Sequence, residues 1–396
     1  MSSARRARTV LLAVLAAGSA LVLSACGTGG LTIHAGSVEP ASSASIVITP
    51  APTGQPVAPA ARLVVQADAG RLTAVRVVGP DGPIEGVLSV DGRTFTVPGG
   101  RLDYDTAYTV EAEAVDRVGL RTTSTTTLQT VTPSKFLDFT MSPREGATVG
   151  VGMPVRLTLD QGLPTLSARK AFERTLRVRV DGEAVEGSWS WDSSNVVTYR
   201  PAEFWPGHAT ITVTSSMKGR PFTKTLWGKA DKELAFSTGA AMVSYVDIQK
   251  HTMRVTRDGK TVKRIPITTG KEGFTTRSGI KVISTKEETR LMDASTGGTL
   301  VNDPEYYRLE VQWAMRLTNS GEFIHAAPWS VAKQGKENVS HGCTGMSTEN
   351  AKWLYDRSRI GDVVIYTGSN RPMQPWNGIG LWNTPYDDWK TGSALS

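Results

Sequence analysis

The sequence predicts a mainly β fold: two sandwich domains in series, then a β-rich domain with one or two helices. Three patterns in the 396 residues carry that expectation. Short alternating apolar runs separated by Asp-Gly and Pro-Gly turns fill the stretch from Leu63 to Val131. A similar arrangement returns about a hundred residues later. A credible helix-period segment appears only near the C-terminus.

At 396 residues the chain exceeds one ordinary domain. With 39% hydrophobic and 20% charged residues it has a globular composition and can bury real cores. The formal charge is +7; if Arg5, Arg6 and Arg8 leave with an export signal, 41 basic residues face 37 acids, or +4. No block of five or six basic residues stands out, so nothing supports nucleic-acid binding.

Those three arginines precede an apolar run from Val10 to Leu23, too short to span a bilayer comfortably. It ends in Leu23-Ser24-Ala25-Cys26, which looks like a bacterial lipobox, with Cys26 lipidated and first in the mature protein. Residues 1–25 are then the signal, and the lipid anchors the chain to the outer face of the cell membrane, facing the cell wall. Residues 26–60 read as a flexible tether, from Gly27, Gly29 and Gly30, the Ser42-Ser43-Ala44-Ser45 run and four prolines.

The first sandwich is assigned to residues 61–133. Leu72–Val78 leads into Gly79-Pro80-Asp81-Gly82, Val87–Val90 into Asp91-Gly92, and Phe95–Val97 into Pro98-Gly99-Gly100. The second, 134–238, repeats the plan: Asp91–Val97 compares with Asp192–Tyr199, and Leu102–Val110 with Phe204–Val213. The spacing fits immunoglobulin-like sandwiches without a disulfide. Trp189, Trp191 and Trp205 read as core fillers or an interdomain face, with carbohydrate binding as the alternative. His34, His208 and His251 have no companions at metal-ligand spacing, so no metal site is expected.

Residues 239–369 form the third domain. Val243–Ile248, Met253–Thr256 and Val262–Ile267 read as strands, the latter two joined at Asp258-Gly259. Ser347 caps a helix with Ala351, Leu354, Tyr355 and Ser358 on one face, and Asp362–Tyr366 returns as a strand. A Trp-rich segment, 370–396, follows. With Cys26 in the lipobox, Cys343 has no disulfide partner among the chain's two cysteines. It lies in Ser340-His341-Gly342-Cys343-Thr344-Gly345, close to two of the five histidines, His325 and His341. A free thiol in an exported chain beside histidines points to a nucleophile.

His325, then 14 residues, then Ser340-His341-Gly342-Cys343 resembles the signature of YkuD-type L,D-transpeptidases, bacterial enzymes that cross-link peptidoglycan. Thr269-Gly270-Lys271, Met292-Asp293-Ala294-Ser295, the Tyr307–Trp313 stretch, Ala327-Pro328-Trp329-Ser330 and Gly361-Asp362 are similar to actinobacterial members. In those, two immunoglobulin-like domains behind a membrane anchor precede the catalytic domain, and a Trp-rich C-terminal segment packs back on it. The resemblance implies Cys343 as nucleophile and His325 as acid/base. It assigns the Ala326 carbonyl to orienting the imidazole, and backbone N–H groups around Gly342 and Cys343 to an oxyanion hole. Met292, Tyr307, Ser320, Gly321, Trp329, Ser340, His341 and Gly345 fall along the substrate path. Two departures stand out. Gly345 replaces the family's asparagine, with Thr344 for a larger apolar residue, and Gly297-Gly298 stands where relatives carry a bulky residue, implying a more open flap.

By the same resemblance, Cys343 attacks a tetrapeptide stem, releases D-alanine and passes the acyl group to a neighbouring stem amine, making a 3→3 cross-link. No cofactor is implied, and the chain is expected to act as a monomer on peptidoglycan stem peptides, with its cysteine open to carbapenems. Two rival readings remain open. One hands the same acyl-enzyme to water or another amine, as a carboxypeptidase, an exchanger or an enzyme that ties a protein to the wall. The other is a weakened, wall-binding lipoprotein.

Overall fold

The structure is a computed structural model that describes residues 40–297 and 299–396. The signal, Cys26 and the first part of the expected tether lie outside the described residues, as does Gly298 of the expected open flap. Among the described residues, no helix is long and apolar enough to cross a membrane.

The fold is mainly β. Its first strand corrects the tether expected over 26–60. Ser45–Thr49 pairs antiparallel with Leu63–Asp68, and Ile48 and Val57 are buried in the first core. Gly-, Ser- and Pro-rich surroundings hide this strand because its hydrogen bonds come from a partner beyond the segment. The first sandwich therefore begins before residue 61. One of its sheets joins Ser45–Thr49, Leu63–Asp68, Thr94–Val97 and Val87–Leu88; the other joins Gly82–Pro83, Gly70–Gly79, Ala107–Asp116 and Arg121–Gln129. Val65, Val97, Val110 and Ala114 meet between them, fully buried. The strict alternation of Ala107–Asp116, with every second residue inside, is the pattern of a sheet packed on one face.

The second sandwich packs a four-stranded sheet against a five-stranded one. Trp189 and Trp205 are buried in its core and Trp191 packs against it, so the core-filler alternative holds for these residues. A short helix, Leu166–Glu173, interrupts the strands where only strands are predicted. Thr165 caps it by accepting from Ala168 N–H at 3.2 Å, and Phe172 anchors it in the core.

The C-terminal domain holds two sheets. A five-stranded mixed sheet is ordered Lys260–Pro266, Thr252–Arg257, Met242–Asp247, Val363–Thr367, Gly279–Val282. The Asp258-Gly259 hairpin and the return strand after Asp362 fall where the sequence predicts them. The second sheet runs Thr285–Asp293, Arg308–Arg316, Phe323–Ala326, Thr344–Met346. Helix Thr348–Arg357 closes their common core with Ala351 and Leu354, and Ser347 caps it by accepting from Asn350 N–H at 3.2 Å.

The Trp-rich segment does more than cover the C-terminal domain. Asn383 bonds both backbone groups of Ile280 there, while Trp382 donates to Gly152 O at 2.8 Å and Trp389 to Ser188 O at 2.9 Å, both in the second sandwich. Arg200 lies over the rings of Trp382, Tyr386 and Trp389 at 5.1–5.4 Å. The segment straps the second sandwich to the C-terminal domain.

Candidate active site

The site is built where two short strands run parallel. Phe323–Ala326 pairs with Thr344–Met346 in the register Ile324 to Thr344 and His325 to Gly345. Cys343 is the residue just before the second strand, so the parallel pairing folds the loop between the two motifs back on itself. It brings the histidine and the thiol to one cavity of about 180 Å³. Met292, Tyr307, Trp329, Ser340, His341 and Gly345 line the same cavity. Ser320, Gly321 and Gly342 line an adjoining one, which shares Met292, Tyr307 and His341.

His325 is buried, and its Nδ1 lies 2.7 Å from Ala326 O. A carbonyl oxygen only accepts, so Nδ1 carries the proton and Nε2 keeps its lone pair. Burial lowers the imidazole below its ordinary 6.5, with the Ala326 bond opposing. Cys343 is also buried. Loss of solvation pushes its thiol up to about 11, against the Phe323 N–H, Lys281 and Arg316, which favour the thiolate. The resting pair is thus a neutral imidazole and a protonated thiol, whose S–H donates to Gly321 O at 3.5 Å.

The loop before the thiol is tied down internally. Ser340 Oγ donates to Cys343 O at 2.6 Å and accepts from Gly342 N–H at 3.1 Å. Gly342 has φ +124°, a conformation that calls for glycine, and its carbonyl accepts from Thr276 Oγ1 at 2.8 Å. Its N–H is already engaged by Ser340, whereas the Cys343 N–H has no protein acceptor among the described residues. His341 Nε2 donates to Glu305 at 2.6 Å, and its ring packs between Phe274 and Tyr307. Thr344 is satisfied by the hydroxyl of Tyr366 at 2.7 Å, which lets a polar residue stand at a buried position.

Sequence reasoning missed the group behind the thiol. Lys281, fully buried, lies 2.5 Å from Glu322 and 3.7 Å from the centre of the Tyr366 ring; Arg277 holds the other Glu322 oxygen at 2.8 Å. Burial pushes Lys281 down to about 8 despite Glu322. This cluster fixes the strand entry at Glu322, next to the Gly321 carbonyl that accepts the hydrogen bond of the thiol. An isolated lysine in the strand Gly279–Val282 gives no local signal of such a role. Among the described residues, no group of three metal-ligating side chains occurs.

Comparison with known proteins agrees with this arrangement. The bacterial Ig domain model matches residues 54–221, and the L,D-transpeptidase catalytic domain model matches residues 242–365. L,D-transpeptidase 2 of Mycobacterium tuberculosis is 33% identical over 332 residues, 83% of this chain and 80% of that protein. L,D-transpeptidase 5 of the same species is 32% identical over 383 residues, 94% of this chain and 82% of that protein. A solved L,D-transpeptidase from Mycobacterium smegmatis has TM-score 0.50 at 35% identity, covering 59% of this chain and 99% of its own. An L,D-transpeptidase solved in complex with imipenem gives 0.50 at 34%, covering 59% and 100%. With identity at this level across most of both chains, and a histidine and a thiol in register on adjacent strands, the chain belongs to the L,D-transpeptidase family.

Proposed function

We propose that Cys343 and His325 carry out acyl transfer between peptidoglycan stem peptides, making 3→3 cross-links. The observation that carries this reading is the fixed imidazole. With Nδ1–H held by Ala326 O, Nε2 is the free base in the cavity that holds the one cysteine of the described residues. In the first half-reaction His325 Nε2 takes the thiol proton and Sγ bonds to the carbonyl carbon of the donor stem's third residue. The bond to the terminal D-alanine nitrogen breaks, and His325 returns the proton to that amine as it leaves. In the second, an amine of a neighbouring stem attacks the thioester, His325 takes its proton, and the C–S bond breaks to restore the thiol. The Cys343 N–H is the donor available to the oxyanion, and Gly342 supplies the turn that presents it. A buried site favours transfer over loss to water.

Such a reaction belongs outside the cytoplasm, and the lipobox at Cys26 supplies an anchor on the outer membrane face, with the two sandwiches as spacers. Cys26→Ala should move the protein from the membrane to the soluble fraction; retention on the membrane contradicts the anchor. A relative is solved with imipenem, which gives a direct probe of the nucleophile. Intact-mass analysis should show one imipenem added to wild type and none to Cys343→Ala. An equal adduct on Cys343→Ala would remove this residue from the role.

A further inference from the structure

Three charges, Lys281, Arg277 and Glu322, lie almost entirely out of water behind Cys343, with a formal balance of +1. Glu322 has no free oxygen. Its Oε1 accepts from Arg277 Nη1 at 2.8 Å and from the Arg277 N–H at 3.1 Å, and its Oε2 accepts from Lys281 at 2.5 Å. Lys281 has no other hydrogen-bond partner among the described residues, and its ammonium rests on the Tyr366 ring, 3.7 Å from the centre. Both contacts lead to the nucleophile. Glu322 Cγ lies 3.9 Å from the Cβ position of Gly342, and the Tyr366 hydroxyl bonds Thr344 Oγ1 at 2.7 Å. Gly342 and Thr344 flank Cys343 in the chain. Gly321 and Phe323, whose carbonyl and N–H meet the Cys343 sulfur, flank Glu322 in turn.

Stability does not account for these charges. A buried ion pair contributes little over well-packed apolar residues of the same volume. In this place the charges act on the sulfur. Cys343 becomes an anion when His325 takes its proton, and burial opposes that anion. The Phe323 N–H favours it, Glu322 disfavours it, and Lys281 and Arg316 favour it. With water excluded, such charges are weakly screened. The other titratable groups around the sulfur, His325, His341 and Tyr307, line its cavity. Lys281 itself titrates within reach, since burial pushes it down to about 8 against the pull of Glu322.

We propose that Lys281 is a positioning residue for the acyl transfer: its ammonium, held by Glu322 and Tyr366, balances the negative charge that Cys343 takes on when His325 removes its proton. The role rests on the transpeptidase reading above and adds a buried cation to the pair of Cys343 and His325. A neutral residue at 281 would leave the Glu322 carboxylate facing the sulfur with one counter-charge fewer. The support is present in full below pH 8 and fades as pH rises through it, because the neutral amine has no charge to offer.

The test uses the full chain and follows iodoacetamide on the Cys343 peptide by mass spectrometry from about pH 6 to 10, with imipenem acylation measured beside it. Lys281→Met should alkylate about tenfold more slowly than wild type at pH 7, the equivalent of about one unit in the thiol, and imipenem acylation should fall with it. The gap should close as Lys281 of wild type loses its own proton, above about pH 9. Lys281→Arg should keep the wild-type rate at pH 7 and exceed wild type at the alkaline end, because arginine holds its proton. Lys281→Met combined with Glu322→Gln, which also removes the opposing anion, should recover most of the loss, whereas a merely structural pair would be damaged twice. Should Lys281→Met not fold, Lys281→Arg carries the test through its divergence from wild type at alkaline pH. A Lys281→Met rate equal to wild type at pH 7, a gap that stays constant across the range, or a double variant no faster than Lys281→Met overturns the role. Wild type that takes no imipenem on Cys343 defeats the transpeptidase reading instead, and the alkylation rates still decide the role of Lys281.

Discussion

Gly345 and Thr268 exchange backbone hydrogen bonds beside the thiol cavity, each N–H reaching the other's carbonyl at 2.9 Å. A Cβ placed on Gly345 would sit 2.9 Å from Ala327 Cβ and 3.1 Å from Thr268 Cγ2. The space that a side chain at 345 would need is therefore filled here from two sides. Glycine at 345 is a packing requirement of this chain, and the backbone bridge to Thr268 secures the thiol strand.

Gly345→Asn should accordingly destabilise the protein, by about 1–3 kcal/mol. Urea unfolding measures the cost, and adding Ala327→Gly should return part of it. A Gly345→Asn protein as stable as wild type would mean that the neighbours give way freely.

The protonation states of the pair set the pH dependence. The Cys343 thiol is pushed up to about 11, so alkylation of this cysteine by iodoacetamide should stay slow through the ordinary thiol value of 9.0. His325 is depressed, so it stays neutral and able to act as base as pH falls to 6.5, and is lost only below that. The acid limb of kcat/KM should lie below pH 6.5, with a plateau through neutrality. An acid limb above 6.5, or a thiol that alkylates rapidly at pH 7, contradicts these assignments.

How much of this was legible in the sequence differs from residue to residue. His325 and Cys343 were readable because their motif is local and its chemistry distinctive, and Ser347 and Asp258-Gly259 because caps and hairpin turns are local too. Ser45–Thr49 was not, since only Ile46 and Ile48 turn inward and the partner strand lies outside the segment. Helix Leu166–Glu173 spans only eight residues, and Ala168 and Phe172 are the one pair of buried apolar residues at helical spacing, too short a signal amid strands. Arg277 and Glu322 come from separate parts of the domain, and Lys281 is alone in its strand; only tertiary packing brings them to the thiol. The Ser340–Gly342 bond, which leaves Cys343 as the free amide, depends on loop geometry that no residue pattern specifies.

Asp362 offers a test of stability at the junction of the second sandwich and the C-terminal domain. It is buried, Oδ2 accepts from Arg359 N–H at 2.7 Å, and Oδ1 has no partner among the described residues. Burial raises its carboxyl from 3.8 to about 7, with Arg359 and Lys286 opposing. The folded state holds this proton more tightly than the unfolded chain does. The resulting stability is present in full below pH 3.8 and is lost as pH rises through about 7. Asp362→Asn should flatten the curve of Tm against pH between 4 and 7. An unchanged curve would place the carboxylate outside the linkage.

Acyl transfer by Cys343 between stem peptides is tested most directly by incubating the protein with disaccharide tetrapeptide and weighing the products by mass spectrometry. A dimer lacking one D-alanine, absent with Cys343→Ala, is the expected result. Monomeric tripeptide alone, or a dimer that persists with Cys343→Ala, would contradict the account.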